Sequence, residues 1–212
     1  MIAPHTCLGC GEEGAIMCEG CRLALIPNVP SRCYRCHKVT LQSQTCSNCR
    51  RFGLKHVWAA TDYDNIAKDV VFKLKFGRAS VASNVIAKSI HDYLPLLSEQ
   101  TKVTYIPTAP SRVRVRGYDQ AKLIARSFAQ QRDLQIVSLL GRRSVSRQVG
   151  STRKERFAQL ENAFFAKNHD IKDAEILIID DVLTTGATLE SAAKILKQAG
   201  AKKVSAAVFA QS

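Results

Sequence analysis

All eight cysteines of this 212-residue chain fall within its first 49 residues, and they fall in four pairs of one spacing: Cys7/Cys10, Cys18/Cys21, Cys33/Cys36 and Cys46/Cys49. A Cys-x-x-Cys turn aims two thiolates at one point, and two such turns complete a tetrahedral S4 site for zinc. Seven residues separate the first two pairs and nine the last two, so two sequential sites are expected, although an interleaved pairing has the same spacing. Disulfides are the competing use of an even cysteine count. The repeated pair spacing, together with opening residues that have neither the basic start nor the apolar run of a secretory signal, favours zinc in a cytoplasmic protein. Ferredoxin-type iron–sulfur spacing is absent. His5 and His37 lie near the pairs, but eight thiolates already fill two sites. Four thiolates leave no position for water, so both Zn2+ ions are expected to be structural, and a segment with so few large apolar residues would need them to fold.

Residues 1–50 are therefore expected to form a small double zinc-ribbon-like domain, and 51–212 a second domain of a different kind. From Val57 onward apolar strands alternate with helical patterns. Strands are expected at 57–61, 103–106, 134–137, 175–179 and 204–209, and helices at 65–75, 81–97, 118–132 and 189–198. Gly77, Pro95 and Gly200 mark helix ends. This order predicts an α/β fold with a mainly parallel sheet flanked by helices. The unbroken run Glu175-Ile176-Leu177-Ile178-Ile179 suits a strand buried on both faces. No stretch has the roughly 18 uninterrupted apolar residues of a membrane span, so no membrane insertion is expected.

After Ile179 comes Asp180-Asp181-Val182-Leu183-Thr184-Thr185-Gly186-Ala187-Thr188. A strand end that leads into a helix is where open α/β sheets bind ligands. Backbone amides in such a turn form an anion cradle, the helix start adds positive potential, and Gly186 lets the backbone approach closely. Two adjacent carboxylates would repel phosphate, but they suit a vicinal sugar diol and would help hold Mg2+. The residues themselves thus describe a site for a ribose phosphate. A helix cap followed by a polar turn is the plainer reading, and it accounts for one acid or one threonine only.

This run resembles the phosphoribosyl pyrophosphate (PRPP) motif of type I phosphoribosyltransferases. The resemblance implies that Asp180 and Asp181 hold the ribose hydroxyls and that Thr184, Thr185, Gly186, Ala187 and Thr188 hold the 5-phosphate. Cysteine pairs ahead of such a domain resemble the ComF/ComFC family, associated with DNA uptake in natural competence. Further marks are Lys73-Leu74-Lys75-Phe76-Gly77-Arg78, Arg116-Gly117-Tyr118-Asp119-Gln120-Ala121 and the stretch from Arg147 through Arg156 to Asn162. The chain departs from the family at Tyr118-Asp119, where Phe-Asn is frequent, and at Pro107-Thr108-Ala109-Pro110. The resemblance implies PRPP with Mg2+ as ligand, and transfer of its pentosyl group to an acceptor that no residue here identifies.

Charge supplies the other half of the expected site. The chain carries a net +13, and residues 111–160 hold twelve Lys/Arg against three Asp/Glu. Thr108 and Ala109 follow a strand, where type I enzymes bind pyrophosphate. Arg112, Arg114 and Arg116 alternate, and in an extended stretch they would point one way. Arg142 to Arg156, with Arg147 and Arg153, has the polar make-up of a loop that closes over the ligand. These arginines would serve pyrophosphate or a single-stranded DNA backbone, unless they form a solvated face. A non-catalytic component that binds single-stranded DNA or a competence helicase is thus the alternative to an enzyme. With three residues after Phe209, the part that contacts the acceptor is expected from the cysteine-rich segment or residues 52–78.

Overall fold

The computed structural model describes residues 5–26, 31–77, 79–143 and 163–212. Its centre is a four-stranded sheet of β1 (Val57–Asp62), β2 (Lys102–Tyr105), β5 (Glu175–Leu183) and β6 (Lys203–Gln211), in the order β1-β6-β5-β2 with every pair parallel. Ile176 to Ile179 are buried throughout. Their side chains alternate between two apolar clusters, Leu177 and Ile179 with one and Ile176 and Ile178 with the other, as the pleat requires.

Helices cover both faces. On the first lie α2 (Asn65–Phe76), α3 (Ala79–Tyr93) and α5 (Gln120–Arg132). Each presents small and branched residues at helical spacing, such as Ala67, Val70, Val71 and Leu74 of α2 and Ala121, Ile124, Ala125 and Phe128 of α5. Arg132 closes α3: its guanidinium donates to the carbonyls of His91, Leu94 and Pro95, groups a helix end leaves unpaired. On the second face α6 (Ala187–Gln198) buries Leu189, Ala192, Ala193 and Leu196, beside an antiparallel pair of β3 (Leu140–Arg142) and β4 (Phe164–Ala166). The expected class, a parallel sheet flanked by helices with a cysteine-rich N-terminal segment, is the observed one.

Two local expectations are corrected. Residues 134–137 form no strand; a single parallel bridge joins Ile136 to Val103 at the sheet edge. Residues 110–116 are not extended but form a short helix, α4 (Pro110–Arg116). Proline at its first position is pre-set for a helix, and Gly117, at φ 82°, ends it in the left-handed region. Arg112 and Arg116 therefore lie one turn apart on one side, and Arg114 projects elsewhere.

The cysteine-rich segment meets the sheet's helical layers from both sides. Its α-helix α1 (Glu19–Ala24) lies beside the first cluster, which Ile16 and Met17 join, and Arg22 pairs with Asp92 of α3. Cys33, Tyr34 and Cys49 join the second, against α6.

Candidate functional site

The acid pair lies within the last four residues of β5, so the strand runs further than its apolar stretch suggests; only Thr184, Thr185 and Gly186 bridge it to α6. Gly186 has φ 80° and stands at the N-cap of α6, where the Ala187 amide lies 3.4 Å from Thr185 Oγ1. Gly186 and Ala187 are buried, Thr188 is half-buried, and Thr184 and Thr185 are exposed. The bend thus exposes two hydroxyls next to first-turn amides that have no partner within the helix.

Asp181 accepts the Val182 amide at 2.9 Å on one oxygen and Lys75 Nζ at 2.8 Å on the other. Asp180 accepts the Asp181 amide at 2.9 Å. Loss of solvation pushes the Asp180 carboxyl well above the usual carboxylate range, and the Asp181 charge adds to this; the Asp181 amide and the Lys75 charge oppose it. An acid held this way gains from a cation or a pair of sugar hydroxyls at its oxygens. Lys75, at the end of α2, was legible only as one lysine of a family motif, because its partner lies 106 positions away.

The loop after β2 lies alongside, with the Ile106 amide bonded to the Ile179 carbonyl at 3.1 Å. Asp119 takes both donors of Thr108, the amide and the hydroxyl, at 2.9 Å each, and also caps α5 by accepting the Lys122 amide at 3.3 Å. Ala109 is the N-cap of α4. The acid at 119 is thus a clasp on this loop. Arg142 donates to the Pro107 carbonyl at 3.3 Å and lies over the Phe164 ring. Burial lowers its pKa, Arg112 adds to this, and Asp180 and Asp119 oppose it. Arg112, Arg142, Asp119 and Asp180 therefore share one neighbourhood. Arg116 lies over Phe76, and one of its buried guanidinium nitrogens has no partner among the described residues. Tyr118 donates to the Leu74 carbonyl at 2.7 Å, tying the α4–α5 turn to the end of α2. Arg147, Arg153 and Arg156 lie outside the described residues, as does most of the loop expected over Arg142 to Arg156.

The cysteines group sequentially, Cys7, Cys10, Cys18 and Cys21 in one set and Cys33, Cys36, Cys46 and Cys49 in the other, with the sulfurs of each within 4.8 Å of one another. Zn–S bonds of about 2.3 Å place sulfurs about 3.8 Å apart in a tetrahedron. The Cys10–Cys18 and Cys36–Cys46 separations are 3.8 and 3.5 Å. Backbone amides of Gly9 and Cys18 point at Cys7 Sγ. Amide donation from Cys10 and Cys18 brings Cys7 down to about 6. Cys33 also lies near 6, because amides of Arg35, Cys36 and Cys46 outweigh its burial. Both groups could hold zinc as all-thiolate sites without an open position.

Tyr34 and Arg35, between two of these cysteines, reach the start of α6: the Tyr34 hydroxyl donates to Glu190 Oε1 at 2.8 Å, and Arg35 pairs with the same oxygen. No helix among the described residues is long and apolar enough to cross a membrane.

The phosphoribosyl transferase domain family matches residues 113–212. The competence protein ComFC of Streptococcus pneumoniae is 28% identical over 91% of this chain and 86% of its own length. ComFC of Bacillus subtilis is 24% identical over 87% and 79%. Among solved structures, an allosteric regulatory enzyme of purine biosynthesis overlaps 80% of this chain at 15% identity and a TM-score of 0.43, the overlap spanning 31% of that enzyme.

Proposed function

We propose that this chain, which matches the phosphoribosyl transferase domain model behind two four-cysteine groups and is similar to ComFC proteins, is a protein of the ComF/ComFC kind that binds PRPP with Mg2+ at the carboxyl end of β5 and serves natural competence from the cytoplasm. The observation that carries the ligand is the run Asp180 to Thr188, which combines a strand-end acid pair, a bend with Gly186 at φ 80° and a helix start. In this reading Asp180 and Asp181 receive the ribose hydroxyls, and Thr184, Thr185, Gly186, Ala187 and Thr188 surround the 5-phosphate. Arg142 and Arg112 face the pyrophosphate, with Arg116 and the arginines at 147, 153 and 156 as further candidates. Thr108 acts through its clasp with Asp119 rather than by donating to the ligand, and Ala109 orients the start of α4.

The donor set fits Mg2+: hard carboxylate oxygens, with Asp181 already balanced by Lys75. Bound there, the ion supplies charge neutralisation at the pyrophosphate. The chain's own residues orient the ribose and bring cations to the side where the leaving group departs. Pentosyl transfer to an acceptor is the reaction this arrangement favours. A thermal-shift panel of PRPP, ribose 5-phosphate and nucleotides, with and without Mg2+, tests the ligand. Pyrophosphate release over a panel of acceptor bases tests the transfer. A shift with PRPP and no release with any acceptor would leave a PRPP-binding protein rather than a transferase.

A second reading rests on a separate feature. Two adjoining hollows of about 420 and 500 Å³ share Gly53 and Lys197 and run along α6 to the opposite end of the sheet. Arg50, Arg51, Lys55, Lys194, Lys197 and Lys202 line them. Their acids, Glu175 and Glu190, already pair with Lys203 and Arg35. Such a groove suits the backbone of single-stranded DNA, the substrate a competence protein would meet alone or with a helicase partner. Each phosphate contact would add about −0.7 to the slope of log affinity against log salt. Binding that ignores salt, or that survives charge reversal at Lys197 and Lys202, would sink this reading.

A further inference from the structure

The turn between Cys33 and Cys36 delivers two consecutive side chains to the loop before α6. Tyr34 is 4% exposed and packs so closely on Gly186 that a Cβ there would stand 2.7 Å from Tyr34 Cε2. Its hydroxyl and the Arg35 guanidinium converge on Glu190 Oε1, and Arg35 also lies 3.7 Å over the Phe52 ring. Glu190 sits in the first turn of α6, its amide bonded to the Gly186 carbonyl at 2.9 Å. Left unpaired, a carboxylate at that position would repel any anion at the same helix start. Among the described residues the first cysteine group shows no such contact; Ile16, Met17 and the Arg22–Asp92 pair tie it to the other face.

We propose that Tyr34 and Arg35 are positioning residues of the ligand site, and that the second cysteine group, unlike the first, is a structural part of the loop Thr184–Thr188. The Tyr34 ring keeps Gly186 in its left-handed conformation by filling the space beside it. Arg35 balances the Glu190 charge and the Tyr34 hydroxyl holds the same oxygen by a hydrogen bond, so that the loop presents donors without a competing acid. The role assigned to the anion rests on the PRPP reading above; the mechanical link between the cysteine turn and the loop does not.

The test uses the full chain loaded with zinc, with two ions per chain verified in every variant. Hydrogen exchange over residues 183–190 is followed without ligand, and Mg2+–PRPP affinity by calorimetry. Tyr34→Ala is expected to speed exchange in that segment and weaken affinity, each about tenfold. Arg35→Ala is expected to weaken affinity by a similar factor, and adding Glu190→Gln to restore it, an outcome that packing alone would not give. Asp92→Asn, which alters the tie of the first group, should leave both readouts unchanged. Wild-type exchange and affinity in Tyr34→Ala would overturn the proposal, as would an equal loss in Asp92→Asn. If Tyr34→Ala fails to fold or loses zinc, the Arg35 pair decides: wild-type affinity in Arg35→Ala overturns it, and rescue by Glu190→Gln upholds it. If the wild type itself does not bind PRPP while Tyr34→Ala loosens the loop, the ligand reading fails and the mechanical link stands.

Discussion

Tyr34 lies against the α-carbon of Gly186, joining a cysteine turn near one end of the sequence to the loop at the carboxyl end of β5. Gly186→Ala meets two penalties there. Left-handed backbone costs alanine about 1–2 kcal/mol, and the methyl group would be forced against the ring, an overpacking of about 1–3 kcal/mol. Urea denaturation should show a loss within that combined range, together with loss of ligand binding. In a double-mutant cycle, Tyr34→Ala should recover the packing part but not the backbone part.

Asp180 trades stability for its site. Its folded pKa is raised, so the native state holds the proton more tightly than the unfolded chain does. Stability therefore falls as pH rises from the unfolded carboxyl value, about 3.9, up through the folded one. Asp180→Asn removes that term. The variant should melt higher than wild type at neutral pH, with the gap closing toward pH 4, and should lose PRPP binding. A variant less stable than wild type at neutral pH would contradict the assignment.

The Arg22–Asp92 pair fastens the first cysteine group to α3. Burial alone would raise the Asp92 pKa, but its hydrogen bonds to Lys88 and Arg22 prevail and lower it. The stabilisation is present above the unfolded carboxyl value and is lost as pH falls through the lower folded one. Asp92→Ala should cost about 2–3 kcal/mol at neutral pH, less than a fully buried pair because Asp92 is partly solvated. The difference should shrink in acid, as pH-dependent denaturation can check.

Metal removal should act on both faces of the sheet. Elemental analysis of the purified chain should give two zinc ions. A strong chelator should lower the melting temperature and expose apolar surface near Ile16, Met17, Tyr34 and Leu54 to a hydrophobic dye. An unchanged melt after both ions are removed would rule out a structural role.

What the sequence disclosed depended on how local the physics was. Four repeated cysteine spacings point to two four-cysteine groups, and the apolar run Ile176–Ile179 to a buried strand; the structure has both. The sequential grouping of the cysteines was expected, though spacing alone left the interleaved pairing open. The arginine alternation at 112, 114 and 116 suits an extended stretch, yet Pro110 and Gly117 bound a helix of about two turns. The sequence predicts an end of β5 at Ile179, because Asp180 and Asp181 are poor strand formers, yet the strand runs to Leu183. They remain in the sheet because Asp180 and Val182 still pair with Val208 and Ala210 of β6. Lys75 and Asp181, Thr108 and Asp119, and Tyr34 and Glu190 meet only through the fold, and no periodicity announces such pairs. The polar window beyond Arg143 lies outside the described residues.

The central claim is that Asp180 to Thr188 is a PRPP site. Calorimetric titration of the zinc-loaded chain with PRPP, with Mg2+ and without it, tests this most directly, compared with Asp180→Asn and Asp181→Asn proteins whose fold is verified. The account predicts one site per chain, tighter with Mg2+ and lost in both variants. Absence of heat with the wild-type protein under either condition, or equal affinity in the asparagine variants, would contradict it.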